Sequence, residues 1–222
     1  MKEKGIIFDF NGTLLWDTML HNQAWDIFLK QYGFTLTEEE KQKRIHGRLN
    51  REIILDLFAD NYSGDKLTVE AAEQFGLEKE AIYRELCHDL PDFSLANGVV
   101  ALFEHLREAN IPFVIATASG YENVSFYIQE LKLLNWFQED HLIYSDGTMR
   151  GKPFPDLFLK AIGVLGIRAE DTIIFEDSPS GIKAAEAAGA GKIVIVNSAD
   201  SDYSEWEGKH SIIHSFNEFV WE

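Results

Sequence analysis

Short, largely apolar runs alternate with longer helical stretches through most of this chain, and that rhythm restricts the fold more than any other feature. The runs at 5–10, 111–117, 141–146, 171–177 and 192–197, with a weaker one at 211–214, lack the polar–apolar alternation of a half-exposed strand. Continuous apolar strands of this kind are covered on both faces. Helical patterns lie between them at 99–109, 122–134, 156–165 and 180–188. Strands separated by helices of about 10–15 residues predict right-handed βαβ units, and therefore an α/β fold built on a doubly wound parallel sheet. The ends carry matching punctuation: Ser178-Pro179 predicts a capped helix start, and Gly189 follows its last helical residue.

From Met19 to Leu90 the rhythm breaks. Helical patterns at 20–32, 37–45, 51–59, 69–75 and 78–90 follow one another with no strand between them. This predicts a helical cap, 16–91, inserted into a Rossmann-like core made of 1–15 plus 92–222. Hinges are expected at 15–18 and 90–96.

The balance of 20 basic against 37 acidic residues, a net charge of −17, argues against nucleic acid as a partner, because phosphate backbones are held by positive surfaces. No apolar run reaches the ~20 residues of a membrane span, and the N-terminus turns acidic before a signal-peptide core can form. Cys87 is the one cysteine, so no internal disulfide forms and a reducing, cytoplasmic setting is expected. A monomer is expected as well. An anionic small molecule stays within reach, provided a local cation holds it.

Ligands of open parallel sheets bind beyond the carboxyl ends of the strands. The first run ends Asp9-Phe10-Asn11-Gly12-Thr13, the second Thr117-Ala118-Ser119, and the fourth Glu176-Asp177; Lys152-Pro153 follows the third. Three carboxylates, a pair of hydroxyls and one lysine thus converge on one rim. Carboxylates so close repel one another, and Mg²⁺ suits a few carboxylates supplemented by water and phosphate. Lys152 and free N–H groups after Asp9 are expected to hold the remaining anionic charge.

These four segments resemble, in order and spacing, the motifs of the haloacid dehalogenase-like (HAD) superfamily. The cap after the first strand, the run His46-Gly47-Arg48-Leu49-Asn50-Arg51-Glu52 and the run Gly151-Lys152-Pro153-Phe154-Pro155-Asp156 look most like its β-phosphoglucomutase-like phosphatase branch. The resemblance implies a Mg²⁺-dependent phosphohydrolase or phosphotransferase acting on a small phosphorylated metabolite such as a sugar phosphate. Asp9 then matches the nucleophile that forms an aspartyl-phosphate. Thr117, with Gly12 and Ala118, matches the phosphoryl-binding positions, and Lys152 the neutralising cation. Asp177 and Glu176 match the acidic pair that holds Mg²⁺, joined by Asp9 and the backbone carbonyl of Asn11. His21, His46, Arg51 and Ser119 fall where relatives contact the substrate or close over it.

Two residues depart from the pattern: Trp16 stands where relatives often carry another acid, with Asp17 following it, and Asn11, which matters more, stands in the motif itself. Phosphatases of this family carry Asp-x-Asp-Gly-Thr, and the second acid is here Asn11. An amide keeps the backbone carbonyl and the shape but shuttles no proton, which is expected to forfeit roughly 10²–10⁴-fold in rate. Asn11→Asp is expected to recover it. The departure also raises a second reading, a phosphate-ligand binding or regulatory protein with lost turnover. A third, phosphonate or carbon–halogen cleavage, is weaker: the nearby Lys41 and Lys43 do not match a Schiff-base position, and dehalogenation needs no acidic metal pair. Gly147 to Lys152 is one residue short of a P-loop and has Pro153 where Ser or Thr is required.

Overall fold

The computed structural model describes residues 4–61 and 67–220. Its core is a six-stranded sheet, parallel at every pairing, in the order β3-β2-β1-β4-β5-β6. The strands are β1 (Gly5–Phe8), β2 (Phe113–Ala116), β3 (Leu142–Ile143), β4 (Thr172–Glu176), β5 (Lys192–Val196) and β6 (Ser211–Ile213). All six expected runs form strands, each trimmed at one or both ends, with Gly5, Lys192 and Ser211 starting theirs as expected. The third shrinks to two residues.

Alternation along each strand sends neighbouring side chains to opposite faces. Ile6 and Phe8 join a cluster on one face with Phe103, Phe113, Phe175 and Phe216. Ile7 joins the other with Val114, Ile174, Ile182 and Ile195. Burial on both faces explains the apolar runs. Four core helices cover the sheet: α5 (Val99–Glu108), α6 (Tyr121–Glu130), α7 (Asp156–Leu165) and α8 (Pro179–Ala187). At the start of α8 the Ser178 hydroxyl accepts from the Gly181 N–H at 3.0 Å. Gly189 follows the helix with φ +77°.

Four helices occupy the stretch after β1: α1 (Thr18–Gln31), α2 (Glu38–Arg44), α3 (Asn50–Asn61) and α4 (Val69–His88). They enclose their own cluster, which includes Trp25, Phe28, Ile53, Leu57 and Ala72. The helices expected separately at 69–75 and 78–90 are one. Gly76, between them, is buried inside α4, where a Cβ would meet Asn50 Cβ of α3 at 3.2 Å. Its smallness serves close helix packing and not a break. Ala24 of α1 with Tyr83 and Cys87 of α4 enters the core cluster beside the sheet. The cap is therefore welded to the core on that side.

Strand order reverses between β1 and β4, since the chain runs outward from β1 through β2 and β3 before returning to β4. Such a reversal leaves a crevice beyond the carboxyl ends of the two strands. Asp9 is the residue after β1, and Asp177 the residue after β4.

Candidate active site

Lys152 occupies the centre of the crevice. Its Nζ is 2.6 Å from Asp9 Oδ1 and 2.7 Å from Glu176 Oε2, and the three side chains are almost wholly buried. Glu176 is anchored further, because its Oε1 accepts from the Ser178 N–H at 2.9 Å and from the Ser178 hydroxyl at 2.7 Å. Asp177 accepts from the Thr13 hydroxyl at 3.1 Å, and its backbone carbonyl accepts from the Tyr203 hydroxyl. Gly12 lies against Asp177, with φ +82° and a hypothetical Cβ only 2.1 Å from Asp177 Oδ2. Only glycine fits there.

The charges do not balance within this group. Burial, then the charge of Glu176, pushes Asp9 up to about 7 against the opposing pull of Lys152. Burial, then Glu176 and Asp9, raises Asp177 well above the usual carboxylate range. The same two neighbours outweigh burial and raise Lys152 above the usual lysine value, so it stays an ammonium. One lysine cannot neutralise three carboxylates. Asp9, Glu176 and Asp177 each offer an oxygen, all within 4.8 Å of one another. This oxygen-only, over-anionic donor set fits a small hard divalent cation.

Eight of the expected residues line one cavity of about 100 Å³: Asp9, Asn11, His21, His46, Thr117, Ala118, Ser119 and Asp177. Arg51 is elsewhere, in a neighbouring cavity, with its guanidinium 3.3 Å from Glu73. Of the N–H groups after Asp9 that were expected to meet an anion, that of Gly12 is already engaged. That group faces the Leu15 carbonyl at 2.7 Å and Asp17 Oδ1 at 3.1 Å. The N–H of Thr13 likewise donates to the Phe10 carbonyl at 3.2 Å. A tight turn after β1 consumes these donors locally. His46 Nε2 is 2.9 Å from Asn22 Oδ1; burial, then the charge of His21, pulls His46 down to about 4.

Asp17, Asn50, Lys79 and Glu80 also line this cavity, and none was expected there. Asn11 donates from Nδ2 to Asp17 Oδ2 at 2.7 Å and to the Tyr127 hydroxyl at 2.8 Å, while its Oδ1 accepts from the Ser119 hydroxyl at 2.8 Å. Tyr127 donates to the Tyr83 oxygen at 3.2 Å, and Tyr83 donates to Asp17. The four side chains close a ring of hydrogen bonds. Burial first, then the Asp17 charge, keeps both tyrosines protonated as donors. Beyond the ring, His21 Nε2 is 3.4 Å from Asp17, and His21 Nδ1 is 2.7 Å from Lys79 Nζ. Lys79 in turn reaches Glu80 at 2.9 Å. Asp17 and His21, four apart at the start of a helix, carried a legible spacing signal. Lys79, 58 residues beyond His21, carried none.

A family model for haloacid dehalogenase-like hydrolases matches residues 3–189. The chain belongs to that family. It is 31% identical over 193 residues to the probable pseudouridine-5'-phosphatase of Drosophila melanogaster, covering 85% of this chain and 80% of that one. Hexitol phosphatase A of Escherichia coli is 29% identical over 221 residues, covering 99% of this chain and 94% of the relative. Among solved structures, a family IA, variant 3 HAD hydrolase from Entamoeba histolytica superposes with a TM-score of 0.85 at 38% identity, covering 98% of this chain and 95% of the other. As a member of this family the chain is a hydrolase of the phosphatase type. None of its described helices is long and apolar enough to cross a membrane.

Proposed function

We propose that the protein is a Mg²⁺-dependent phosphatase acting on a small phosphorylated metabolite, a sugar or polyol phosphate, through covalent capture of the phosphoryl group by Asp9. The carrying observation is the buried contact of Lys152 with Asp9 at the switch point, with Asp177 and Glu176 beside it. A carboxylate nucleophile held against a cation, with a Mg²⁺-compatible oxygen cluster next to it, is equipped for phosphoryl transfer. That reaction demands alignment and charge stabilisation above all. Hydrolase relatives that act on a hexitol phosphate and on pseudouridine 5'-phosphate, as their names state, support the substrate class.

Asp9, Asp177, Glu176 and the Asn11 carbonyl are the groups to hold Mg²⁺, which when bound supplies positive charge to the phosphoryl oxygens. Asp9 attacks phosphorus as the bond to the leaving oxygen breaks, and that oxygen takes a proton from water to leave as the alcohol; a second water later cleaves the aspartyl-phosphate, returning the Asp9 carboxylate and releasing inorganic phosphate. Lys152 offsets charge on the nucleophile and the transferred group. Thr117 borders the place where that group must sit, although its hydroxyl also accepts from the Ser119 N–H at 3.1 Å. The cap, 16–91, closes the site against solvent and contributes His21 and His46. Asn11 supplies no carboxylate, so both protonation of an alkyl leaving oxygen and hydrolysis of the intermediate are slow. The cytoplasm is the expected compartment.

One observation favours the second reading, ligand binding with little turnover: both Nδ2 hydrogens of Asn11 and its Oδ1 already bond to protein. The phosphonatase reading loses ground. Lys41 is fixed to Asp26 and Glu38, both at 2.7 Å; the hydrogen bonds and charges of these partners outweigh burial and raise its pKa, away from the neutral amine a Schiff base requires. A phosphate-release screen over phosphorylated metabolites, with and without Mg²⁺, combined with intact-mass detection of phosphoenzyme, tests the proposal. Release without phosphoenzyme would remove the Asp9 step, and neither phosphoenzyme nor release from any donor would leave the binding reading.

A further inference from the structure

Two cavities meet where the cap faces the sheet rim. The smaller contains Asp9 and the cluster described above. The larger, about 540 Å³, is bordered by Arg51, Glu73 and Glu80 of the cap and by Tyr121, Glu122 and Asp146 of the core. Asn50, Glu80 and Ala118 belong to both walls. The larger space therefore adjoins the reacting centre and is the room left for whatever carries the phosphoryl group.

Its charge is one-sided. Four carboxylates face one guanidinium, and that guanidinium already leans on Glu73 at 3.3 Å. The first turn of α6 also borders the cavity, and its N–H groups would favour an anion, but that turn carries Glu122. Asp146 is engaged by Lys160 at 3.0 Å. Glu80 is held by Lys79, Asn50 and Asn123, so these cations and amides are committed to carboxylates. Tyr121 is exposed and packs at 5.8 Å from Tyr144, offering an aromatic wall to the C–H face of a sugar.

We propose that this larger cavity takes the non-phosphoryl half of the substrate and selects an uncharged, hydroxyl-rich group, making the protein a phosphomonoester hydrolase and not a phosphomutase. This rests on the phosphatase reading above. A mutase must hold a bisphosphate: Asp9 gives its phosphoryl group to a second hydroxyl of the bound sugar phosphate, the new phosphorus–oxygen bond replaces the one to Asp9, and the hydroxyl proton departs to a base. One phosphate then sits at Asp9 and the other in the distal cavity, where it needs surplus positive charge. Here each neighbouring cation is already paired with a carboxylate and Glu122 is left over, so no positive surplus exists among the described residues. Sugar hydroxyls, in contrast, donate to carboxylates.

The test compares sorbitol 6-phosphate with fructose 1,6-bisphosphate and glucose 1,6-bisphosphate. Turnover is measured on the native protein with Mg²⁺, and binding by calorimetry on Asp9→Asn, which needs no turnover. The monoester is expected to win in kcat/KM and in Kd by about tenfold or more. Because much of the cavity rim is exposed, that margin should shrink in about 0.5 M NaCl. Glu73→Gln combined with Glu122→Gln releases Arg51 and removes a rim charge; it should cut the margin by about threefold or more. Bisphosphate binding as tight as the monoester, or a margin unmoved in the double variant, would overturn the proposal. If no donor releases phosphate while the binding order holds, the phosphatase reading fails and the cavity assignment stands.

Discussion

Asn11 Nδ2 lies 2.7 Å from Asp17 Oδ2, so the amide that replaces the usual acid donates to a buried carboxylate six residues further on. The second Nδ2 hydrogen goes to Tyr127, and Tyr127 and Tyr83 pass the donor direction round to Asp17 again. Positions 11 and 17 form a matched pair, in which one carboxylate requires one amide.

This relationship revises what Asn11→Asp should do. The substitution sets two carboxylates against each other in a buried site and removes the donor that Asp17 accepts from, a loss of about 1–3 kcal/mol. The midpoint of thermal unfolding should fall by several degrees, at roughly 2–4 °C per kcal/mol for a chain of this size, with little gain in alkyl-phosphate turnover. Exchanging the pair, Asn11→Asp with Asp17→Asn, restores one acid and one amide, and should deliver the roughly 10²–10⁴-fold expected of a general acid–base group. A full gain from the single variant, at unchanged melting temperature, would show that the pair is not coupled. Intact-mass analysis must accompany these assays, since the Asn11-Gly12 sequence is prone to deamidation.

The nucleophile and the cation site separate by readout. Asp9→Asn should abolish phosphoenzyme formation from acetyl phosphate. Asp177→Asn should chiefly raise the Mg²⁺ concentration needed for half-maximal activity. Phosphoenzyme persisting in Asp9→Asn would place the covalent step on another residue.

Lys152 holds two buried carboxylates at 2.6 and 2.7 Å. Lys152→Met leaves both uncompensated, a penalty of about 3–5 kcal/mol, or on the order of 10 °C in melting temperature. Differential scanning calorimetry of the metal-free protein checks this. A shift of only a degree or two would mean that the lysine contributes nothing net to the buried group.

Acid should weaken the fold through His46. Its imidazole titrates at about 4 in the folded protein, pulled down by burial and then by His21 and Lys41, with Glu38 opposing; the unfolded chain titrates near 6.5. Between those values the unfolded state binds the extra proton, so stability falls as pH is lowered through 6.5 towards 4. Moving from pH 7 to pH 5 should cost roughly 2 kcal/mol through this group. Urea midpoints at the two pH values, in native protein and in His46→Gln, measure it. An identical pH slope in the variant would assign the acid sensitivity to other groups.

What the sequence by itself determined is the frame and the rim of the site. Strands buried on both faces must be apolar throughout, so the order of elements was legible, and the doubly wound sheet followed from their spacing. The residues directly after β1 and β4 are at a strand-order reversal, which is why Asp9 and Asp177 could be found without coordinates. Only tertiary structure decided that α4 runs unbroken through Gly76, because the approach of α3 at Asn50, 26 positions earlier, is what the glycine serves. It also decided that Gly12 has no N–H to spare, since the turn after β1 spends it. The role of Asn11 was likewise beyond reach of local patterns. Its partners Asp17, Ser119 and Tyr127 come from the chain 6, 108 and 116 positions away. Whether an amide at 11 is a lost acid or half of a matched pair depends on which donors and acceptors the folded chain brings within 3 Å, and periodicity carries no record of that.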